Sequence, residues 1–101
     1  MENSIKHKEG KIPYEIDWCF IKQLAERMHS NKSNGKYPRD NWKKPMLIED
    51  IKDALSRHFV EVMLGSYEDD GRKFGHIEAL VSNLMILNYQ LNNFSDIKIN
   101  N

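Results

Sequence analysis

The sequence predicts an all-α domain, a small helical bundle of three main helices with a long basic loop between the first and second. Three observations predict it. Apolar residues recur at helical spacing in three separate stretches. Clusters of Gly, Pro, Asn and Ser punctuate the chain between them. Strand-type alternation is weak throughout. At 101 residues, with 40% apolar and 30% charged residues, the chain is one globular domain with a modest core, and a homo-oligomer would add burial.

Residues 1–13 are polar and end in Pro13, and they read as an N-terminal arm. From Tyr14 the pattern turns helical: Trp18, Ile21, Ala25 and Met28 share one side with Leu24, while Glu15, Lys22, Gln23 and Glu26 occupy the other. Asp17 is a candidate N-cap for a helix over about 15–30. Residues 29–45 hold Asn, Ser, Gly and two prolines, which end the helix. Leu47, Ile48, Ile51, Ala54, Leu55, Phe59 and Val62 form the second stripe. Glu49 and Asp50 sit in its first turn, where the helix dipole favours anions, and Gly65 is a C-cap candidate. This helix spans about 47–64. The third spans about 75–91, with Ile77, Leu80, Val81, Leu84 and Leu87 as its core face. Residues 14–91 are thus one helical domain, and the Asn-rich stretch 92–101 reads as a polar tail that frays.

Charge and cysteine usage narrow the function classes. Lys plus Arg number 15 and Asp plus Glu number 15, so net charge gives no ground for general nucleic-acid or acidic-membrane binding. No apolar run reaches the length of a membrane span, and the N-terminus lacks the apolar segment of a signal peptide. The lone Cys19 fits a reducing compartment, so the expected location is cytoplasmic.

Two stretches concentrate chemistry. The first surrounds Tyr37 and Trp42 with Lys32, Lys36, Arg39, Lys43 and Lys44. Cations suit phosphate oxygens and rings suit bases, although a solvated linker with two tucked aromatics has the same composition. The second covers 57–83, where Glu68, Asp69 and Asp70 form an acidic turn between His58 and His76. Asp50, Asp53, Arg57 and Glu61 line one ridge of the second helix, and a salt-bridged surface ridge explains them equally. His58 falls on the apolar side of that helix. His76 and Asn83 lie two turns apart and border the apolar face of the third. Carboxylates gathered at one point would be relieved by a cation such as Mg²⁺, which is held by carboxylates and substrate phosphates. The chain contains no CxxC, HExxH, Walker or GxGxxG motif.

The ordered run Lys36-Tyr37-Pro38-Arg39-Asp40-Asn41-Trp42-Lys43, then Asp53-Ala54-Leu55-Ser56-Arg57-His58, then Gly65 with Asp69, then His76 between Gly75 and Ile77, and finally Asn83, resembles the dATP/dGTP diphosphohydrolase family, mostly small phage proteins. The resemblance covers roughly residues 9–91. It implies an all-α fold related to the MazG-like nucleotide pyrophosphohydrolases. It implies metal-dependent hydrolysis of a purine deoxynucleoside triphosphate to the monophosphate and pyrophosphate, with Mg²⁺ or Mn²⁺, in a homo-oligomer that a phage would place in the host cytoplasm. Carried onto this chain, it makes Asp53 and Asp69 metal ligands, with Glu49, Asp50 and Glu61 behind them. His58 and His76 become acid–base groups or further ligands. Lys36, Arg39, Lys43 and Arg57 become phosphate contacts, and Tyr37, Asn41, Trp42 and Asn83 base, sugar or structural contacts. An interhelical network of Asp53, Arg57 and His76 that only fixes the fold would retain the same residues. One departure stands out: Ser66 occupies the position after Gly65 where the family commonly has Glu. That favours one alternative to hydrolysis, a non-catalytic nucleotide-binding or sequestering protein; a small helical inhibitor of a host protein is a further alternative.

Overall fold

A computed structural model of the chain describes residues 15–33 and 40–98. Three helices account for most of them: α1 (Trp18–Ser33), α2 (Ile48–Met63) and α3 (Gly75–Lys98). A short 3-10 turn, Asn41–Lys43, precedes α2. Among the described residues there is no strand, only an isolated bridge between Asp69 and Arg72. The all-α expectation therefore stands. The N-terminal arm lies outside the described residues, as do Lys36, Tyr37 and Arg39 of the basic loop.

Local chemistry sets the boundaries. Asp17 caps α1, its Oδ1 accepting from the Cys19 and Phe20 amides at 3.0 and 3.3 Å. The acids Glu49 and Asp50 occupy the first turn of α2. That helix closes in a Schellman motif. The Ser66 amide reaches the Glu61 carbonyl at 2.9 Å and the Gly65 amide reaches Val62 at 3.0 Å. Gly65, with φ 82°, takes the left-handed position that a side chain would strain. The third helix runs past its expected end at residue 91 and continues to Lys98 across a kink at Phe94 (φ −135°). Asn-rich composition suggested a tail; the Tyr89–Phe94 ring contact, at a centroid distance of 6.4 Å, gives this segment an aromatic anchor instead.

α2 and α3 form the main antiparallel pair. Met46, just before α2, bonds Gln90 near the far end of α3, while His58 meets His76 at its start. Among the described residues α1 packs on α3 and not on α2. The core is thin: Ile51 and Ala79 are the buried apolar side chains among the described residues. Several residues expected inside are open, including Trp18 (68% exposed), Phe59 and Leu84. Among the described residues, the three helices leave much of their apolar stripes without a facing element.

Gln90 compensates at one end of the pair. Fully buried, it accepts from the Met46 amide at 3.0 Å and donates to the Trp42 and Lys44 carbonyls at 2.9 and 2.7 Å. Trp42 packs edge-on against Tyr89 at 5.0 Å. One amide side chain thus pins the segment that enters α2. Gln90→Leu strands three backbone groups and is expected to cost about 2 kcal/mol, since each buried unpaired group costs roughly 1–3 kcal/mol and this segment is only partly buried. Urea unfolding followed by circular dichroism measures it.

Candidate metal and phosphate centre

After the Schellman motif the chain reverses between α2 and α3 in a tight turn. Asp69 and Arg72 exchange both backbone bonds, at 3.1 and 3.0 Å, and the residues between them, Asp70 and Gly71, have φ 57° and 75°. Two successive left-handed residues in an Asp-Gly pair are the signature of a type I′ hairpin turn. The His76 amide then bonds the Tyr67 carbonyl at 2.9 Å, so the hairpin is stitched onto the first turn of α3. This geometry turns His76 back toward α2 and sets the Asp69 carboxylate beside it.

The result is a convergent centre. His58 Nδ1 and His76 Nδ1 face each other at 2.9 Å. His76 Nε2 lies 3.9 Å from Asp69 Oδ1. Among the described residues, His58, Asp69 and His76 are the set of three that offers donor atoms within 4.8 Å of one another. Arg27 of α1 holds the other carboxylate oxygen: its Nη2 meets Asp69 Oδ2 at 3.1 Å, and its Nη1 donates to the Gly75 carbonyl at 3.2 Å. The Arg27 side chain is 7% exposed, and its buried Nε has no partner among the described residues. Because Arg27 takes Oδ2, Asp69 keeps Oδ1 for the histidines.

Two neutral imidazoles meeting through Nδ1 share one hydrogen. If His76 supplied it, the His76 Nε2 lone pair would face the Asp69 carboxylate. Placing it on His58 Nδ1 lets His76 carry its own hydrogen on Nε2, toward Asp69, and leaves His58 Nε2 as the free lone pair. Burial holds the His58 imidazolium pKa below its ordinary 6.5; Asp69 opposes the shift, and the nearby His76, Arg27 and Arg57 reinforce it. His58 is therefore a neutral nitrogen donor near pH 7.

Gly75 allows this approach. A Cβ there would collide with the Asp69 carbonyl oxygen and lie 2.8 Å from Asp69 Cβ and 2.9 Å from Arg27 Nη1. Gly75→Ala is expected to destabilise by about 1–3 kcal/mol, the usual range for overpacking, and to loosen the centre, read from thermal unfolding.

A second polar cluster braces the hairpin. Glu78, 2% exposed, accepts from Arg72 Nε at 2.6 Å and from Gln23 Nε2 at 2.7 Å. Arg72 also reaches the Gln23 carbonyl at 3.4 Å and Glu26 at 3.7 Å. α1, the hairpin and α3 thus meet through charge and hydrogen bonds where apolar contact is sparse.

Of the residues singled out in the sequence, the structure gathers His58, Asp69 and His76. It leaves Glu49, Asp50 and Asp53 exposed along α2, with Glu61 half-buried, outside that set. Asp53 pairs with Arg57 at 3.4 Å, both largely exposed, as a surface pair one helical turn apart. The anticipated Asp53–Arg57–His76 network does not form, since His76 bonds His58 and faces Asp69 instead. The Asn83 amide donates to the Ala79 carbonyl at 2.8 Å, within its own helix. Asn41, Trp42 and Lys43 sit by Tyr89, thirteen residues and about 20 Å along α3 from His76 at 1.5 Å per residue. Lys43 pairs with Asp40 at 3.7 Å and lies over the Trp42 ring. The sequence reading put Gln23 on the solvent face and passed over Arg27, Arg72 and Glu78 as site-forming residues. Arg27 lies next to Glu26 in a polar run, and only the long-range pairing of α1 with the hairpin reveals it.

A family profile described as dATP/dGTP diphosphohydrolase, N-terminal, matches residues 2–98. The chain is also 33% identical over 90 residues to a protein of Salmonella phage PMBT28 named dATP/dGTP diphosphohydrolase, a match that covers 88% of this chain and 30% of that protein. The chain therefore spans about a third of the length of this curated relative. No solved structure matches. The matched segment contains α1, α2, the hairpin and the whole His58–Asp69–His76 centre, and the chain belongs to the dATP/dGTP diphosphohydrolase N-terminal family.

Proposed function

We propose that the chain takes part in metal-dependent hydrolysis of a purine deoxynucleoside triphosphate to the monophosphate and pyrophosphate. The observation that carries the reading is the convergence of His58, Asp69 and His76, with Arg27 fixing the carboxylate. The relative's name, dATP/dGTP diphosphohydrolase, supports the substrate class. Two imidazoles and a carboxylate oxygen within 4.8 Å suit a divalent ion, and these three side chains would hold it. When bound, such an ion neutralises phosphate charge and lowers the pKa of a bound water.

The chain's own groups supply the rest. Arg27 orients Asp69 and keeps its charge at the centre. Arg57, next to His58 and 68% exposed, is free to swing to phosphate oxygens, where a guanidinium binds two at once. Tyr67 and Phe74 are exposed aromatics on the hairpin, 6.3 Å apart, and they offer a purine a stacking surface nearer the centre than Trp42. In the reaction water attacks the α-phosphorus and the bond to the α–β bridging oxygen breaks.

A panel of the eight common nucleoside and deoxynucleoside triphosphates, assayed for pyrophosphate with and without added divalent ions, tests the proposal. Ion-dependent release from dGTP or dATP is expected. Absence of release across the panel refutes it. A second reading, nucleotide binding without turnover, is favoured by Ser66, which is exposed and puts no carboxylate where the family commonly has one. Thermal stabilisation by a nucleotide without pyrophosphate release would select it.

A further inference from the structure

We infer that the His58–Asp69–His76 centre is a nitrogen-donor site for one first-row transition ion, and that it discriminates against Mg²⁺ and Ca²⁺. The inference rests on the centre proposed above for hydrolysis, but it concerns the ion alone and holds whether or not a nucleotide turns over.

The donor set decides the class of ion. Mg²⁺ requires oxygen ligands in near-octahedral array, and Ca²⁺ takes six to eight. The centre offers one carboxylate, half of which is committed to Arg27 Nη2 at 3.1 Å. The other two donors are imidazoles, which suit ions of the Mn²⁺ to Zn²⁺ series. Three protein ligands with an open position is the pattern of a catalytic rather than a structural zinc-type site.

The spacing agrees. Tetrahedral ligands at bonds of 2.0–2.1 Å lie about 3.3 Å apart. His58 Nδ1 and His76 Nδ1 are 2.9 Å apart, while the Asp69 carboxylate oxygen lies 3.9 Å from the other His76 nitrogen, Nε2. One donor atom from each of His58, Asp69 and His76 lies within 4.8 Å of the other two, so side-chain rotations that draw the three together would complete the shell. Outer-shell support is also in place, because the Arg27 pair fixes the orientation of Asp69, as hydrogen-bonded partners do for metal-bound carboxylates. The Gly75 carbonyl, in turn, holds Arg27 at 3.2 Å.

The test uses the full chain after chelator treatment, with Co²⁺ alone as the first probe. Visible absorption bands that saturate at one Co²⁺ per chain are expected. Thermal melts should rise with Mn²⁺, Co²⁺ and Zn²⁺, with Co²⁺ binding tighter than Mn²⁺, and stay unmoved by the same concentration of Mg²⁺ or Ca²⁺. His58→Ala and His76→Ala should each weaken Co²⁺ binding by more than the ~10–100-fold typical of losing an outer-shell partner. His76→Gln, checked for folding by circular dichroism, guards against a variant that merely unfolds. His29→Ala, on the exposed side of α1, should leave binding unchanged. Equal stabilisation by Mg²⁺, no Co²⁺ bands, or bands that persist in both His58→Ala and His76→Ala would overturn the inference. Co²⁺ binding at this centre without pyrophosphate release would instead refute the hydrolytic proposal and leave the ion site intact.

Discussion

Glu78→Ala is expected to unfold this protein at a temperature about 12–24 °C lower than the parent chain. The carboxylate is 2% exposed and holds Arg72 at 2.6 Å and Gln23 at 2.7 Å. Removing one partner of a buried ion pair costs about 3–5 kcal/mol, because the other charge is left uncompensated. The low end, about 3 kcal/mol, applies here. Arg72 is 26% exposed and keeps Glu26 at 3.7 Å. A domain of this size loses about 4–8 °C per kcal/mol, which gives the range above. Few proteins would lose so much at one polar position, but here the buried apolar core is Ile51 and Ala79 among the described residues, and the Glu78 cluster ties α1, the hairpin and α3 together. Calorimetry of the variant measures the effect, and Glu78→Gln should recover part of it by keeping hydrogen bonds to Arg72 and Gln23.

The same residue sets a pH dependence. Burial alone would raise the Glu78 pKa, but the hydrogen bonds from Arg72 and Gln23 and the charge of Arg72 and Arg27 outweigh it, and the carboxyl sits below its ordinary 4.5. The unfolded chain then binds the proton more readily than the folded one. The stabilisation is complete above the ordinary value and is lost as pH falls below it toward the folded pKa. Urea midpoints measured from pH 7 to pH 3 should drop more steeply in the parent chain than in Glu78→Gln.

Asp69→Asn is expected to lower pyrophosphate release at least ~100-fold, more than loss of an outer-shell partner would. The substitution keeps the side chain's shape and removes the charge that both Arg27 and the histidines face. It also leaves Arg27, 6% exposed, with Asp70 at 4.0 Å as its nearest remaining carboxylate. A stability loss should therefore accompany the loss of turnover. Measuring both separates the roles: Arg27→Lys should lower stability while retaining Asp69, and so retain a larger share of activity than Asp69→Asn.

Much of this architecture is legible in the sequence, and the reasons are local. The Asp17 cap, the acids opening α2 and the left-handed Gly65 are short-range features, so helix positions follow from neighbouring residues. His58 and His76 could be placed on facing helices because both border apolar stripes across a short connection. The contents of that connection were less readable. Asp70-Gly71 is a hairpin signal with almost no strand on either side, and the run of three acids draws the eye instead. Asp69 alone of the three enters the centre. The residues that sequence reasoning missed, Arg27, Arg72 and Gln90, are polar groups held by partners more than forty positions away or across a turn. Nothing in their own neighbourhoods distinguishes them from the solvated lysines and glutamates nearby. Conversely, Trp18 and Phe59 look like core residues by spacing and are exposed, because periodicity reports which face is apolar and not whether another element covers it.

The carboxylate ridge on α2 shows the same limit. Asp50, Asp53, Arg57 and Glu61 repeat at intervals of three to four, yet a metal-binding ridge needs a second helix carrying acids opposite it. In this chain α3 presents His76 and Glu78 near its start, and Glu78 is committed to Arg72 and Gln23. The chemistry is therefore concentrated at the hairpin end, where three elements meet.

Anion-exchange analysis of dGTP incubated with the full chain and Mn²⁺ tests the central claim most directly. The account predicts conversion to dGMP and pyrophosphate by the parent chain, and loss of that conversion in His58→Ala, His76→Ala and Asp69→Asn variants that remain folded. Intact dGTP in every reaction, or conversion that persists unchanged in the three variants, would contradict it.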